Sequence, residues 1–186
     1  MPKTAIPWVF SVFIIVYLTT ISLTDFILPI PVAEAQVVLN KTLEAHLRIP
    51  QIGVDAPIKD MGLTSQGAMA VPSNSVDVGW FSLGTRPGDI GSAVIGAHVR
   101  WASAPGVFAH LNLLKKGDIL SVVDATGGVV FFIVRDIRTF DATDTDSGIF
   151  DSKNGAHLNL ITCSGAWIPS AKTYAKRLVI FTDAVL

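Results

Sequence analysis

Cysteine is almost absent from this 186-residue chain. Cys163 is the only one, which excludes an intrachain disulfide and any zinc site that needs two thiolates. Charge is scarce as well, at 16% of residues. The 14 basic and 15 acidic side chains leave a formal net charge of −1, so there is no broad basic surface to hold a polyphosphate, and no nucleic acid partner is expected. Walker, dinucleotide and metalloprotease motifs are missing, which leaves nucleotide, NAD and zinc-hydrolase chemistry without support. Internal repeats and low-complexity tracts are missing too. The length suits one ordinary domain with a core.

Apolar residues are plentiful, at 50%. Residues 4–24 carry no charge, are bounded by Lys3 and Asp25, and as a helix would reach roughly 30 Å, enough to cross a bilayer. Lys3 and the α-amino group precede this span, so a single-pass anchor with a cytoplasmic amino terminus and an extracytoplasmic domain is expected. A cleaved signal peptide is the alternative, because Ala33-Glu34-Ala35 has a small-x-small cleavage pattern. Either way the domain is exported. The expected organisation is a tail and anchor over 1–24, a linker over 25–43 and a catalytic domain over 44–186.

The rest reads as strands. Alternating or continuous β-type runs occupy residues 45–49, 52–58, 92–99, 119–124, 129–139, 157–162 and 177–183. Ala125-Thr126-Gly127-Gly128 is a hairpin turn. Short helices are predicted at 76–81 and 107–114. This pattern predicts a mainly β fold, a closed or nearly closed barrel.

Cys163 follows the apolar run Leu158-Asn159-Leu160-Ile161 and precedes Ser164-Gly165, which places it where a strand gives way to a loop. A lone cysteine is commonly a small buried hydrophobe. A free thiol kept on the oxidising side of a membrane, however, invites oxidation unless it has a use. As a nucleophile it needs a neighbouring cation or base. His98 ends a strand among small residues, whereas His157 lies roughly 20 Å from Cys163 along an extended strand and is a poor partner. His46 and His110 read as structural. Arg177 opens the last predicted strand, where it is either a solvated strand end or, if that strand pairs beside Cys163, a donor to a peptide carbonyl and its oxyanion.

Thr162-Cys163, the upstream Gly96-Ala97-His98 and the downstream Lys176-Arg177-Leu178-Val179 together resemble the signature of the sortases, membrane-anchored cysteine transpeptidases of bacterial cell surfaces. The segment from Phe108 to Asp118 also resembles the block that follows the family's histidine strand, and the likeness runs from about His46 to Thr182. The resemblance implies an eight-stranded sortase-type barrel and a catalytic set of Cys163 as nucleophile, His98 as acid and base, and Arg177 as oxyanion stabiliser. It further implies substrate contacts at Ala97 and Thr162, with Trp167 in a specificity loop between the last two strands. Its partners would be surface proteins bearing an LPxTG-like sorting signal and an amine of the cell wall or a pilin. Ser164-Gly165 after the cysteine, and no second apolar span in this sequence, point to a class D, E or F type.

Asp141, Asp144, Asp146 and Asp151 cluster in one predicted loop, which reads as a solvated segment, a lid over the substrate or a calcium site; no other cofactor or metal is expected. Trp80, Phe81 and Trp101 read as core or groove wall. An L,D-transpeptidase-like peptidoglycan enzyme and a non-enzymatic adhesive barrel are the rival readings. The first is disfavoured because the Ser-His-Gly block that usually precedes its cysteine is absent.

Overall fold

The computed structural model describes residues 44–144 and 148–185. The expected anchor and linker, and Asp146, lie outside these residues. Strand β1 (His46–Ile49) turns through a single 3-10 turn (Pro50–Ile52) into β2 (Val54–Met61). Pro50 suits the first position of that turn. Gly53 closes it at φ +66, with its N–H donating to the Pro50 carbonyl at 3.2 Å. Strands β3 (Val78–Phe81) and β4 (Gly91–Gly96) follow, then a small ribbon of β5 (Arg100–Trp101) and β6 (Ala104–Pro105). After a 3-10 turn (Leu111–Leu113) come β7 (Ile119–Val123), β8 (Val129–Asp141), β9 (Ala156–Ile168) and β10 (Thr173–Val185).

Eight of these strands close into a barrel in the order β1-β2-β3-β4-β9-β10-β8-β7, with β1 pairing β7 to complete the ring. The β2–β3 and β4–β9 pairs are parallel and the others antiparallel. The hairpin between β7 and β8 forms where the glycines predict it. Asp124 Oδ1 accepts from the Thr126 and Gly128 N–H groups, which completes the turn.

Four elements differ from the sequence expectation. Residues 76–81 are not helical. Asn74 Oδ1 accepts from the Val76 and Asp77 N–H groups in a tight turn, and Val78–Phe81 then slots between β2 and β4. Its pairing with β2 is parallel and non-local, which no local period reveals. The 107–114 helix shrinks to the 3-10 turn at Leu111–Leu113. The β9 strand runs on to Ile168, so Cys163 lies within a strand and not at its end. Likewise β10 begins at Thr173, four residues before Arg177.

The barrel interior is filled by Leu47, Ile49, Ile95, Phe108, Phe132, Leu158, Leu160 and Ile180, all fully buried. Each such side chain contributes about 1.5–3 kcal/mol when removed from water. A second cluster of Val94, Ile149, Val179 and Phe181 lies outside this core, with Phe81, Phe140 and Ile161 packed against it. The two clusters take alternate residues of the same strands: Leu158 and Leu160 belong to the first, Ile161 to the second. The β4–β9–β10 wall is thus apolar on both faces. That is why all six residues of β4 are buried and why its sequence runs without polar alternation.

Candidate active site

The outer face of this wall floors a groove of about 540 Å³. Leu63, Met69, Val71, Phe81, Phe150 and Ile161 supply its apolar lining, and Ala97, His98, Thr162, Cys163 and Arg177 meet in the same groove. Five of the six sequence-derived site residues are therefore brought together. Trp167 is not. It lies on the extended end of β9, not in a loop. It is half-exposed and packs edge-on against Tyr174, its register partner on β10, at 5.2 Å between ring centroids.

Cys163 and Arg177 are direct partners in the antiparallel β9–β10 ladder. Direct partners project to the same side, with Cβ atoms about 4.5–5.5 Å apart, so the ladder sets the two side chains on one face. Burial pushes the Cys163 thiol above its ordinary range, and the Arg177 charge partly offsets this. At neutral pH the resting Cys163 side chain is therefore a neutral thiol. The guanidinium is tethered at the rim. Its Nη1 donates to the Tyr174 and Lys176 carbonyls at 3.0 Å each, and Nη2 donates to Thr173 Oγ1 at 3.2 Å.

Two residues past β4, His98 is held from several sides. Its Nε2 lies 2.9 Å from the Pro72 carbonyl oxygen, and because a carbonyl can only accept, Nε2 carries the proton and Nδ1 is left as the basic nitrogen. The Trp101 ring packs on the imidazole with centroids 4.7 Å apart. The His98 carbonyl accepts from the Phe108 N–H at 3.1 Å, and the Val99 carbonyl from the Gly106 N–H at 3.0 Å. A Cβ at Gly106 would stand 2.7 Å from the His98 carbonyl carbon and closer still to its oxygen, so only glycine fits there.

Thr162 is buried, and its Oγ1 donates to the Ala97 carbonyl at 2.8 Å, while the Ala97 N–H donates to the Ile161 carbonyl. These bonds staple the end of the histidine-bearing strand to the cysteine-bearing one. The other histidines serve elsewhere. His46 pairs with Asp55 at 2.7 Å, and His157 with Asp183 at 2.7 Å. Asp141, on the groove rim, is engaged by Lys176 Nζ at 3.0 Å. Among the described residues no three His, Cys, Asp or Glu side chains converge to hold a metal.

Sequence reasoning missed Pro72, Gly106 and the role of Trp101. Trp101 follows His98 by only three residues, and an aromatic that close to a candidate histidine is the one local signal that pointed to it.

The Sortase domain family model matches residues 47–185. Three similar solved structures are a lid mutant of sortase A from Corynebacterium diphtheriae, the sortase C2 of Group B Streptococcus pilus island 1 and sortase C-1 from Actinomyces oris. The first is 23% identical with a TM-score of 0.62, covering 77% of this chain and 70% of that one. The second is 25% identical with a TM-score of 0.60, covering 77% and 75%. The third is 25% identical with a TM-score of 0.61, covering 82% of each. No curated protein matches the chain.

Proposed function

The chain belongs to the sortase family, and from that premise we propose that it is a membrane-anchored thiol transpeptidase that cleaves an LPxTG-like sorting signal and passes the surface protein to an amine of the cell wall or a pilin. The observation that carries this reading is the groove itself, where Cys163, its ladder partner Arg177 and His98 line one apolar cleft.

In this reading the substrate's apolar side chains lie against Met69, Val71 and Ile161, and the carbonyl of the Thr–Gly-type bond lies over Cys163. The thiol proton passes to His98 Nδ1 as Sγ attacks the carbonyl carbon. The oxyanion that forms is stabilised by the Arg177 guanidinium, which turns from its rim carbonyls toward the groove. Collapse of the tetrahedral intermediate breaks the C–N bond. His98 returns the proton to the leaving amine, and the acyl group remains on Sγ as a thioester. An incoming amine then attacks the thioester, its proton goes to His98, and the released thiolate is reprotonated. Burial keeps the resting thiol in its protonated form, so the proton leaves only as Sγ attacks.

The test is incubation of the purified chain with a Leu-Pro-x-Thr-Gly-like peptide and a small amine. The reading predicts a product in which the amine replaces the residues after threonine, with Cys163→Ala and Arg177→Ala each nearly inactive. Full activity in either variant overturns the assignment.

A further inference from the structure

The β9–β10 ladder holds two registers that differ by one residue. At the turn the Lys172 N–H donates to the Pro169 carbonyl at 3.3 Å, Ile168 faces Thr173 and Trp167 faces Tyr174. In the barrel wall Leu160 faces Ile180 and Thr162 faces Leu178, a register that buries Leu160, Leu178 and Ile180 together in the core. Continued unbroken from the turn, the ladder would set Ser164 opposite Arg177 and Cys163 opposite Leu178. Cys163 and Arg177 would then project to opposite faces.

The change of register falls between turn and wall. Tyr174 and Lys176 are two steps apart on β10, whereas their partners Trp167 and Ser164 are three steps apart on β9, so Gly165 and Ala166 stand against Ala175 alone. This is a β-bulge, which leaves a residue unpaired and locally disrupts the ladder. Gly165 lies in the left-handed region at φ +76. A Cβ there would meet Lys176 first, at 3.4 Å, an ordinary contact, so backbone conformation and not crowding calls for glycine.

The guanidinium is tied down at the same place. The Ala175 carbonyl turns away from β9 to accept from the Ala142 N–H at 2.9 Å, so the Tyr174 and Lys176 carbonyls on either side of it face β9. Both accept from Arg177 Nη1, and Thr173 Oγ1 accepts from Nη2. Arg177 is thus held by groups from both registers, Thr173 and Tyr174 from the turn and Lys176 from the wall.

We propose that Gly165 is a positioning residue for Arg177: by holding the bulge, it lets Arg177 share the Cys163 face while the guanidinium keeps Thr173 and Tyr174 as partners. This rests on the reading of Arg177 as the oxyanion stabiliser. A residue that resists the left-handed region disturbs the junction of the two registers, and the guanidinium loses its turn-side acceptors and is released to solvent.

The test follows the rate of Cys163 alkylation by iodoacetamide against pH in the full chain. Gly165→Val should move the inflection up, toward that of Arg177→Ala, whereas Gly165→Asn should leave it in place, because asparagine accepts the left-handed region. In the Arg177→Ala background Gly165→Val should add nothing. Gly165→Ala should fall between the two variants, and it carries the comparison if Gly165→Val does not fold. The other titratable groups lining the groove, His98, Asp141 and Asp144, are the same in every variant. An inflection that stays put without Gly165 or Asn at this position, moves equally in Gly165→Asn, or moves again in the Arg177→Ala background overturns the proposal. Alkylation needs no substrate. The expected profiles in a chain that transfers no peptide would sink the transpeptidase reading and leave the positioning of Arg177 standing.

Discussion

Cys163 and Arg177 stand directly opposite each other on β9 and β10, so backbone register, and not a flexible loop, sets their side chains on one face. The electrostatic consequence has a definite sign. The thiolate is the form that alkylates. Burial disfavours it and raises the thiol above its ordinary range, while Arg177 favours it.

The rate of Cys163 alkylation by a small neutral reagent should therefore rise with pH and reach half-maximum above the ordinary thiol value of about 8.5. Arg177→Ala should move the inflection higher still, because the cation that lowers it is gone while burial stays. An inflection that moves down in Arg177→Ala contradicts the placement of the charge.

Gly106→Ala should disable the site while sparing most of the fold. The added methyl meets the His98 carbonyl, which is backbone and can yield only by shifting the loop. Overpacking of this kind costs about 1–3 kcal/mol, and displacement of a reacting group by about 1 Å can cost on the order of a hundredfold in rate. The expected outcome is a modest fall in melting temperature with kcat reduced at least about a hundredfold. Full activity would show that His98 is not held by this contact.

Trp101 positions His98 and does not itself meet the reacting bond in this account. The ring stack is worth about 0.5–1.5 kcal/mol, so Trp101→Ala should lower kcat about tenfold with KM little changed, and Trp101→Phe should restore most of it. ¹⁵N spectra should show neutral His98 in the Nε2–H form in the unchanged chain, as its bond to Pro72 requires, and a tautomer mixture in Trp101→Ala. An Nδ1–H imidazole in the unchanged chain contradicts the assignment.

Much of the barrel was legible because its physics is local. Alternation marked β1, the turn with its glycine pair at 127–128 marked the β7–β8 hairpin, and the small apolar run of β4 marked a buried strand. What depends on distant partners was not legible. Strand β3 exists because β2 and β4 leave a slot for it. The 164–168 stretch lacks an apolar pattern and is ordered by pairs such as Trp167 with Tyr174, so its strand looked like a loop and Trp167 like a loop residue. The same divide runs through the site. Cys163, His98 and Arg177 announced themselves by residue type and order. Pro72 acts through a backbone carbonyl 26 positions before His98, and Gly106 acts through the side chain it lacks, so neither leaves a trace in local sequence.

The central claim is that Cys163 carries the acyl group. Intact-protein and peptide mass spectrometry of the purified chain, mixed with a Leu-Pro-x-Thr-Gly-like peptide and no added amine, tests it most directly. The account predicts a mass increase equal to the peptide fragment ending at threonine, localised to Cys163, abolished in Cys163→Ala and discharged by a small amine. Peptide cleavage that proceeds unchanged in Cys163→Ala, or an adduct at any other residue, would contradict it.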